Sequence, residues 1–185
     1  MGCEVSLTQI GYDVAVFNYS TIEMKTGEFA PNFTTIDRES NNISLQHFNN
    51  QWLVLYFYPK DNTPGCTTQA SEFTDKLPQF QALNTQVVGI SPDSISSHGK
   101  FIDKHNLKII LLSDPEHQIA EDYGVWQLKK FMGKEYMGIV RSTFLLDPTG
   151  KITQIWSNVR VKTHVDAVLD AVKHLTANSA IKIDK

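Results

Sequence analysis

The chain of 185 residues carries 17 lysines and arginines against 20 aspartates and glutamates, a formal net charge of -3, with 41% hydrophobic and 20% charged residues. That is the size and make-up of one ordinary domain with a full hydrophobic core, and no apolar run reaches the roughly 18 residues of a membrane-spanning helix. A net negative chain has the wrong sign for neutralising phosphates, which argues against nucleic acid, and the two cysteines, Cys3 and Cys66, can form neither a disulfide framework nor a zinc site.

The first 23 residues lack the basic start, apolar stretch and small-residue exit of a secretory signal, so a cytoplasmic, reducing location is expected. They read as a flexible extension, ahead of a folded unit over 24–176 and a tail over 177–185. Gly2 and Ser6 fit the Met-Gly-x-x-x-Ser acylation pattern, with Cys3 placed for a second chain, but so short a match arises easily by chance. The sequons at Asn18, Asn32 and Asn42 carry meaning only in a secreted chain.

From Met24 the pattern changes. Lys25 to Pro31 forms a lead-in, and Phe33 to Ile36 with Ile43 to Leu45 flank a polar turn as a hairpin. Trp52 to Tyr58 is an unbroken apolar run of aromatic and β-branched types, the pattern of a strand buried on both faces in a parallel sheet. A loop must follow over Pro59 to Gly65. Ala70, Phe73, Leu77 and Phe80 then fall on one helical stripe, with Pro78 placed to bend its later part. Gln86 to Ser91 reads as a strand, Ser94 to Asn106 as a helix, Lys108 to Leu112 as a strand and Pro115 to Tyr123 as a helix. Val140 to Leu146 and Ile152 to Trp156 pair across Asp147-Pro148-Thr149-Gly150, and Thr163 to Leu175 closes the chain as an amphipathic helix. The order predicts an α/β three-layer sandwich of thioredoxin-like arrangement, with a mixed central β-sheet and an N-terminal hairpin extension.

Cys66 falls where the buried strand hands over to the first turn of a helix. Reactive groups collect at the carboxyl ends of strands in such sheets. The helix dipole and the unpaired first-turn N–H groups favour an anion there, so a thiol at this junction is expected to ionise readily and act as a nucleophile. Cys66 also lies four residues before Ala70, on the side of the core stripe, which predicts a recessed sulfur. The plain alternative is a small packed hydrophobe, the commonest fate of a free cysteine. Against it stand the junction itself, the Thr63 hydroxyl three residues earlier, and Pro64-Gly65, which removes one donor and permits close approach of the chain. With Thr63 where thioredoxins carry their first cysteine, the loop can support only a one-sulfur reaction.

The stretch Pro59-Lys60-Asp61-Asn62-Thr63-Pro64-Gly65-Cys66-Thr67-Thr68-Gln69-Ala70, behind Val54-Leu55-Tyr56-Phe57-Tyr58, resembles the active-site segment of peroxiredoxins of the AhpC/TSA type. The likeness is to the bacterioferritin comigratory protein or peroxiredoxin Q branch. Further stretches agree, among them Leu111-Leu112-Ser113-Asp114, Tyr123-Gly124-Val125-Trp126, Phe131-Met132-Gly133-Lys134 and Arg141-Ser142-Thr143-Phe144. The similarity spans about Lys25 to Leu175. It implies that Cys66 is the peroxidatic cysteine of a thiol-dependent peroxidase, that Arg141 supplies a fixed cation and a fork of donors, that the Thr63 hydroxyl bonds the sulfur and the peroxide, and that Pro59 shields the pocket. Taken alone, Arg141 would be a surface ion-pair partner and Thr63 a helix cap.

The branch's resolving cysteines match Ser71 and Ala120 here, so neither position can close a disulfide. The resemblance then implies a 1-Cys cycle with hydroperoxide as substrate and thioredoxin, glutathione or glutaredoxin as reductant, with Cys3 as the internal rival. A monomer without cofactor or metal is expected. His47, His98, His105, His117, His164 and His174 are scattered and expected at helix surfaces or ends. They leave room for a Cys-His hydrolase, and a thioredoxin-like redox sensor without turnover is the non-enzymatic alternative.

Overall fold

A computed structural model describes residues 23–183, with side chains described through residue 177. Cys3, the acylation pattern and the Asn18 sequon lie outside the described residues. The elements in chain order are β1 (Thr34–Ile36), β2 (Asn42–Ser44), a 3-10 turn (Leu45–Phe48), β3 (Trp52–Phe57), α1 (Pro64–Ala82), β4 (Thr85–Ser91) and α2 (Ile95–His105). They continue with β5 (Ile110–Ser113), α3 (Gln118–Asp122), β6 (Trp126–Phe131), β7 (Lys134–Ile139), β8 (Ser142–Leu146), β9 (Ile152–Trp156) and α4 (His164–Ile183).

β3 is the centre of a five-stranded sheet of order β5-β4-β3-β8-β9, parallel to β4 and antiparallel to β8. Its alternation explains why every residue is buried. Trp52, Val54, Tyr56 and Tyr58 enter one core with the apolar faces of α1, α2 and α4. Leu53, Leu55 and Phe57 enter a second core with α3, Ala30 of the lead-in, Phe33 just before β1, and the 3-10 turn. Helices therefore cover both faces, as the element order predicts. The stripe Ala70, Phe73, Leu77, Phe80 faces the first core, and Ser94 caps α2 by accepting from Ser97 N, while Asn106 ends it in the left-handed region.

Three departures from the sequence reading have local causes. α3 holds only five residues because His117 precedes it at φ 62 and the Asp114 carboxylate takes the first-turn N–H groups of Ile119 and Ala120 at 3.2 and 2.9 Å. α4 continues to Ile183, through most of the segment expected as a tail. The third is a whole ribbon: β6 and β7 pair antiparallel across a two-residue turn, Met132 and Gly133, both at positive φ. Val140 consequently lies outside β8, its N–H closing the ribbon's base on Val125 O at 2.8 Å. The ribbon is hard to see in sequence because Leu128, Phe131, Met132, Tyr136 and Met137 are exposed, so its apolar residues follow no buried face.

Gly89 on β4 sits opposite Tyr56, and a Cβ there would stand 2.6 Å from Tyr56 Cζ. The ring cannot yield easily, being stacked on Phe73 and Tyr58 at centroid distances of 4.9 and 5.4 Å. Gly89→Ala is expected to destabilise the fold by about 1–3 kcal/mol through this overpacking. Urea denaturation checks it: an unchanged midpoint would mean that the tyrosine pair has room to move.

Candidate active site

The loop from Tyr58 to Thr63 joins β3 to α1. Pro64 opens the helix at a position where its missing N–H costs nothing, and its fixed φ suits the first turn. Thr63 precedes it as an extended N-cap whose side chain makes no capping bond, while its carbonyl accepts the Thr67 N–H at 2.9 Å. The N–H groups of Gly65 and Cys66 thus have no acceptor within the helix and sit at its positive end.

Arg141 reaches this turn because of strand register. β8 runs antiparallel to β3 with Ser142 opposite Phe57, so the residue just before β8 lies beside the loop just after β3. Its carbonyl is held by the Val159 N–H at 2.8 Å. One arm of the guanidinium, Nη2, donates to Cys66 Sγ at 3.1 Å, and the other, Nη1, donates to Gln69 Oε1. Cys66 is 1% exposed, so cation and helix turn together surround a sulfur shielded from water.

The other expected residues fall into place unevenly. The Thr63 hydroxyl donates to Lys60 O at 3.1 Å rather than to the sulfur, so its single proton is committed and its lone pairs remain for another partner. Pro59 is exposed at the loop's outer side. A Cβ on Gly65 would lie 3.6 Å from Arg141 Nη2, an ordinary contact, so the close approach expected of this glycine is not sterically required. Ser71 is half-buried on α1, and Ala120 belongs to the second core, across the sheet from Cys66.

Several participants were not singled out from sequence. Gln69 is fully buried three residues after Cys66, and a polar residue on an otherwise apolar helical stripe is the signal that could have found it. The Tyr56 hydroxyl is buried without a hydrogen-bond partner, and burial first, then the Cys66 charge, push its ionisation well above the ordinary phenol range. Two histidines expected at the surface are buried instead. His98 pairs with Asp61, and His164 Nε2 lies 2.9 Å from Thr143 Oγ1. Each is satisfied by a polar partner that comes from a distant part of the chain. A cleft of about 430 Å³, bordered by Met24, Tyr123, Val125, Gln127 and Phe144, opens elsewhere and includes neither Cys66 nor Arg141.

Burial, and then the charge of Arg141, push the His164 pKa down from 6.5 to about 4. Between those values the unfolded chain binds a proton that the folded one refuses, so stability falls as pH drops from 6.5 toward 4. The contribution is on the order of 2–3 kcal/mol. Urea midpoints of the wild type should therefore fall more steeply across this window than those of His164→Gln; parallel profiles would show that His164 is protonated in the folded protein.

A guanidinium and a helix N-terminus both turn donors and positive potential toward the sulfur, surroundings that suit a cysteine nucleophile. The guanidinium cannot take a proton from an attacking group, which sets this site apart from cysteine-imidazole pairs.

The AhpC/TSA family model matches residues 26–155. Peroxiredoxin Bcp of Bacillus subtilis is 47% identical over 156 residues, covering 84% of this chain and 98% of that protein. Among solved structures, the bacterioferritin comigratory protein of Xanthomonas campestris superposes with a TM-score of 0.75 at 38% identity, covering 78% of this chain and 92% of that one. A cysteine-to-serine variant of PrxQ from Xylella fastidiosa gives 0.78 at 38%, covering 82% and 97%. With the family model spanning residues 26–155, the relatives matched over nearly their whole length and the folds superposing, this chain belongs to the AhpC/TSA family, in its Bcp/PrxQ peroxiredoxin branch, and is a thiol peroxidase.

Proposed function

We propose that the chain reduces hydrogen peroxide and organic hydroperoxides at Cys66 by a 1-Cys cycle. The observation that carries this reading is the 3.1 Å contact between Arg141 Nη2 and Cys66 Sγ at the N-terminus of α1. The thiolate attacks the terminal oxygen of ROOH, the S–O bond forms as the O–O bond breaks, and the leaving RO⁻ takes up a proton to give alcohol or water. Cys66 is left as sulfenic acid. Arg141 and the unpaired N–H groups of Gly65 and Cys66 stabilise charge moving onto the leaving oxygen. Thr63, its proton committed to Lys60 O, accepts the peroxide O–H and aims the terminal oxygen at sulfur. Pro59, on the exposed part of the loop, is the residue the resemblance gives as shielding the pocket from solvent. The X. campestris relative, a protein with alkyl peroxide reduction activity, supports organic hydroperoxides as substrates here too.

Recycling falls to an external thiol. Cys66 is the free cysteine among the described residues, and Ser71 and Ala120 offer no sulfur. One thiol condenses with the sulfenic acid, releasing water and forming a mixed disulfide, and a second frees the Cys66 thiol and leaves as the oxidised disulfide. Thioredoxin, glutathione or glutaredoxin can serve, in keeping with the cytoplasmic location expected from the sequence. A hydrolytic role is disfavoured because the group bonded to the sulfur is a guanidinium, not a base.

Mass spectrometry after one equivalent of peroxide, with and without thiols, tests the cycle. Sulfenic acid alone and a mixed disulfide with thiol are expected, whereas a Cys3–Cys66 disulfide would replace the 1-Cys scheme by internal resolution. Cys66→Ser should abolish peroxide loss, and Cys3→Ser should keep turnover with added thioredoxin or glutathione. Arg141→Ala should slow peroxide reduction on the order of 10²-fold. Stopped-flow rates equal to wild type would remove Arg141 from the chemistry.

A further inference from the structure

The loop that delivers Cys66 is anchored by a buried polar cluster outside the reacting atoms. Asp61, five residues before the sulfur, turns its side chain inward, where it is 2% exposed against 1% for His98. Its Oδ1 accepts the Tyr58 hydroxyl at 2.8 Å, and its Oδ2 accepts Ser97 Oγ at 2.7 Å and His98 Nδ1 at 2.9 Å. His98 Nε2 in turn donates to Leu112 O at 3.2 Å on β5. Both ring nitrogens thus face acceptors, and both bonds are made together only when each nitrogen carries its proton. The loop's main chain is held as well, Asp61 N donating to Asp93 Oδ2 at 2.8 Å just past β4.

We infer that Asp61 and His98 are positioning residues of the peroxidase: their buried pair clamps the Tyr58–Thr63 loop onto α2 and the ends of β4 and β5, and so sets Cys66 under Arg141. This rests on the proposed chemistry at Cys66 and deepens it. The pair touches neither the sulfur nor Arg141, and beyond Tyr58 in the loop itself its partners come from α2, from β5 and from Asp93 just past β4, none of which contributes a reacting atom. The loop needs such an outside anchor because Pro59, Lys60 and Asn62 are exposed and supply no core packing. Burial disfavours the Asp61 carboxylate, but the bonds from His98 and Ser97 and the His98 charge outweigh it and hold its pKa below the usual carboxylate value. The anchor is therefore charged throughout the neutral range. A full-charge acceptor with three donors fixes direction as well as distance.

Asp61→Asn puts a donor where His98 and Ser97 now donate and should loosen the loop. The expected result is a fall in kcat/KM for hydrogen peroxide on the order of 10- to 100-fold, because small misplacement of a reacting atom is costly. Iodoacetamide alkylation of Cys66 at pH 7 should slow in parallel. This second readout separates positioning from other roles: loss of a nearby negative charge alone would favour the thiolate and speed alkylation. Faster alkylation, or a lowered thermal midpoint with both rates at 25 °C equal to wild type, would overturn the inference. If Asp61→Asn has no cooperative unfolding transition, Tyr58→Phe and Ser97→Ala each remove one donor without stranding a charge, and a smaller loss of both rates is expected. Wild-type rates in both would overturn it. An inactive wild type would instead refute the peroxidase reading itself.

Discussion

One contact organises this molecule: a guanidinium donating to a sulfur at 3.1 Å in a place that excludes water. The two residues are 75 positions apart, and nothing local could bring them together. What does so is the antiparallel register of β8 on β3, which sets Ser142 against Phe57. A one-residue slip would turn Phe144 and Leu146 from the second core toward the first and carry Arg141 away from the loop. The same alternation that buries both faces of β3 therefore fixes the site, and the Tyr56–Gly89 fit keeps β4 in the matching register on the other side.

The sequence showed most clearly what depends on short-range periodicity. The apolar run of β3, the stripe on α1, the helix after Ser94 and the Asp147–Gly150 turn are each local, and each stands where the pattern puts it. Cys66 was equally legible, since a strand-loop-helix junction is written in consecutive residues. The β6–β7 ribbon was not, because its hydrophobic residues face solvent and its turn uses Met132-Gly133 in place of the usual asparagine-glycine. Likewise α3 looked longer from Pro115 onward than Asp114 and the left-handed His117 allow.

Buried polar groups were the harder part. A histidine amid polar neighbours in sequence gives no hint that it lies in a core, because its partner is supplied by the fold: Asp61 for His98, 37 residues away, and Thr143 for His164, 21 residues away. Thr63 shows the reverse problem. Its place before the cysteine was evident, but whether its hydroxyl gives its proton to the sulfur or to Lys60 O depends on how the loop turns. Residue type could nominate Thr63, and only the loop's conformation could assign the acceptor of its hydroxyl proton.

Enclosure at this site sets two demands against each other. A small hydroperoxide needs only a gap at the first turn of α1, and the low-dielectric surroundings strengthen every donor aimed at it. A thiol reductant is larger, and it must align with a sulfur that is 1% exposed. In the 1-Cys cycle proposed above, the first turn of α1 would have to yield for that second step. It is the right part of the helix to do so: Thr63 makes no side-chain cap, Pro64 contributes no N–H, and the Cys66 and Gly65 N–H groups have no intrahelical acceptor. The rest of α1 is held by Ala70, Phe73, Leu77 and Phe80 in the first core. A turn weakly bonded at its start and firmly packed beyond it can open around the sulfur while the sheet, and with it Arg141, stays in place.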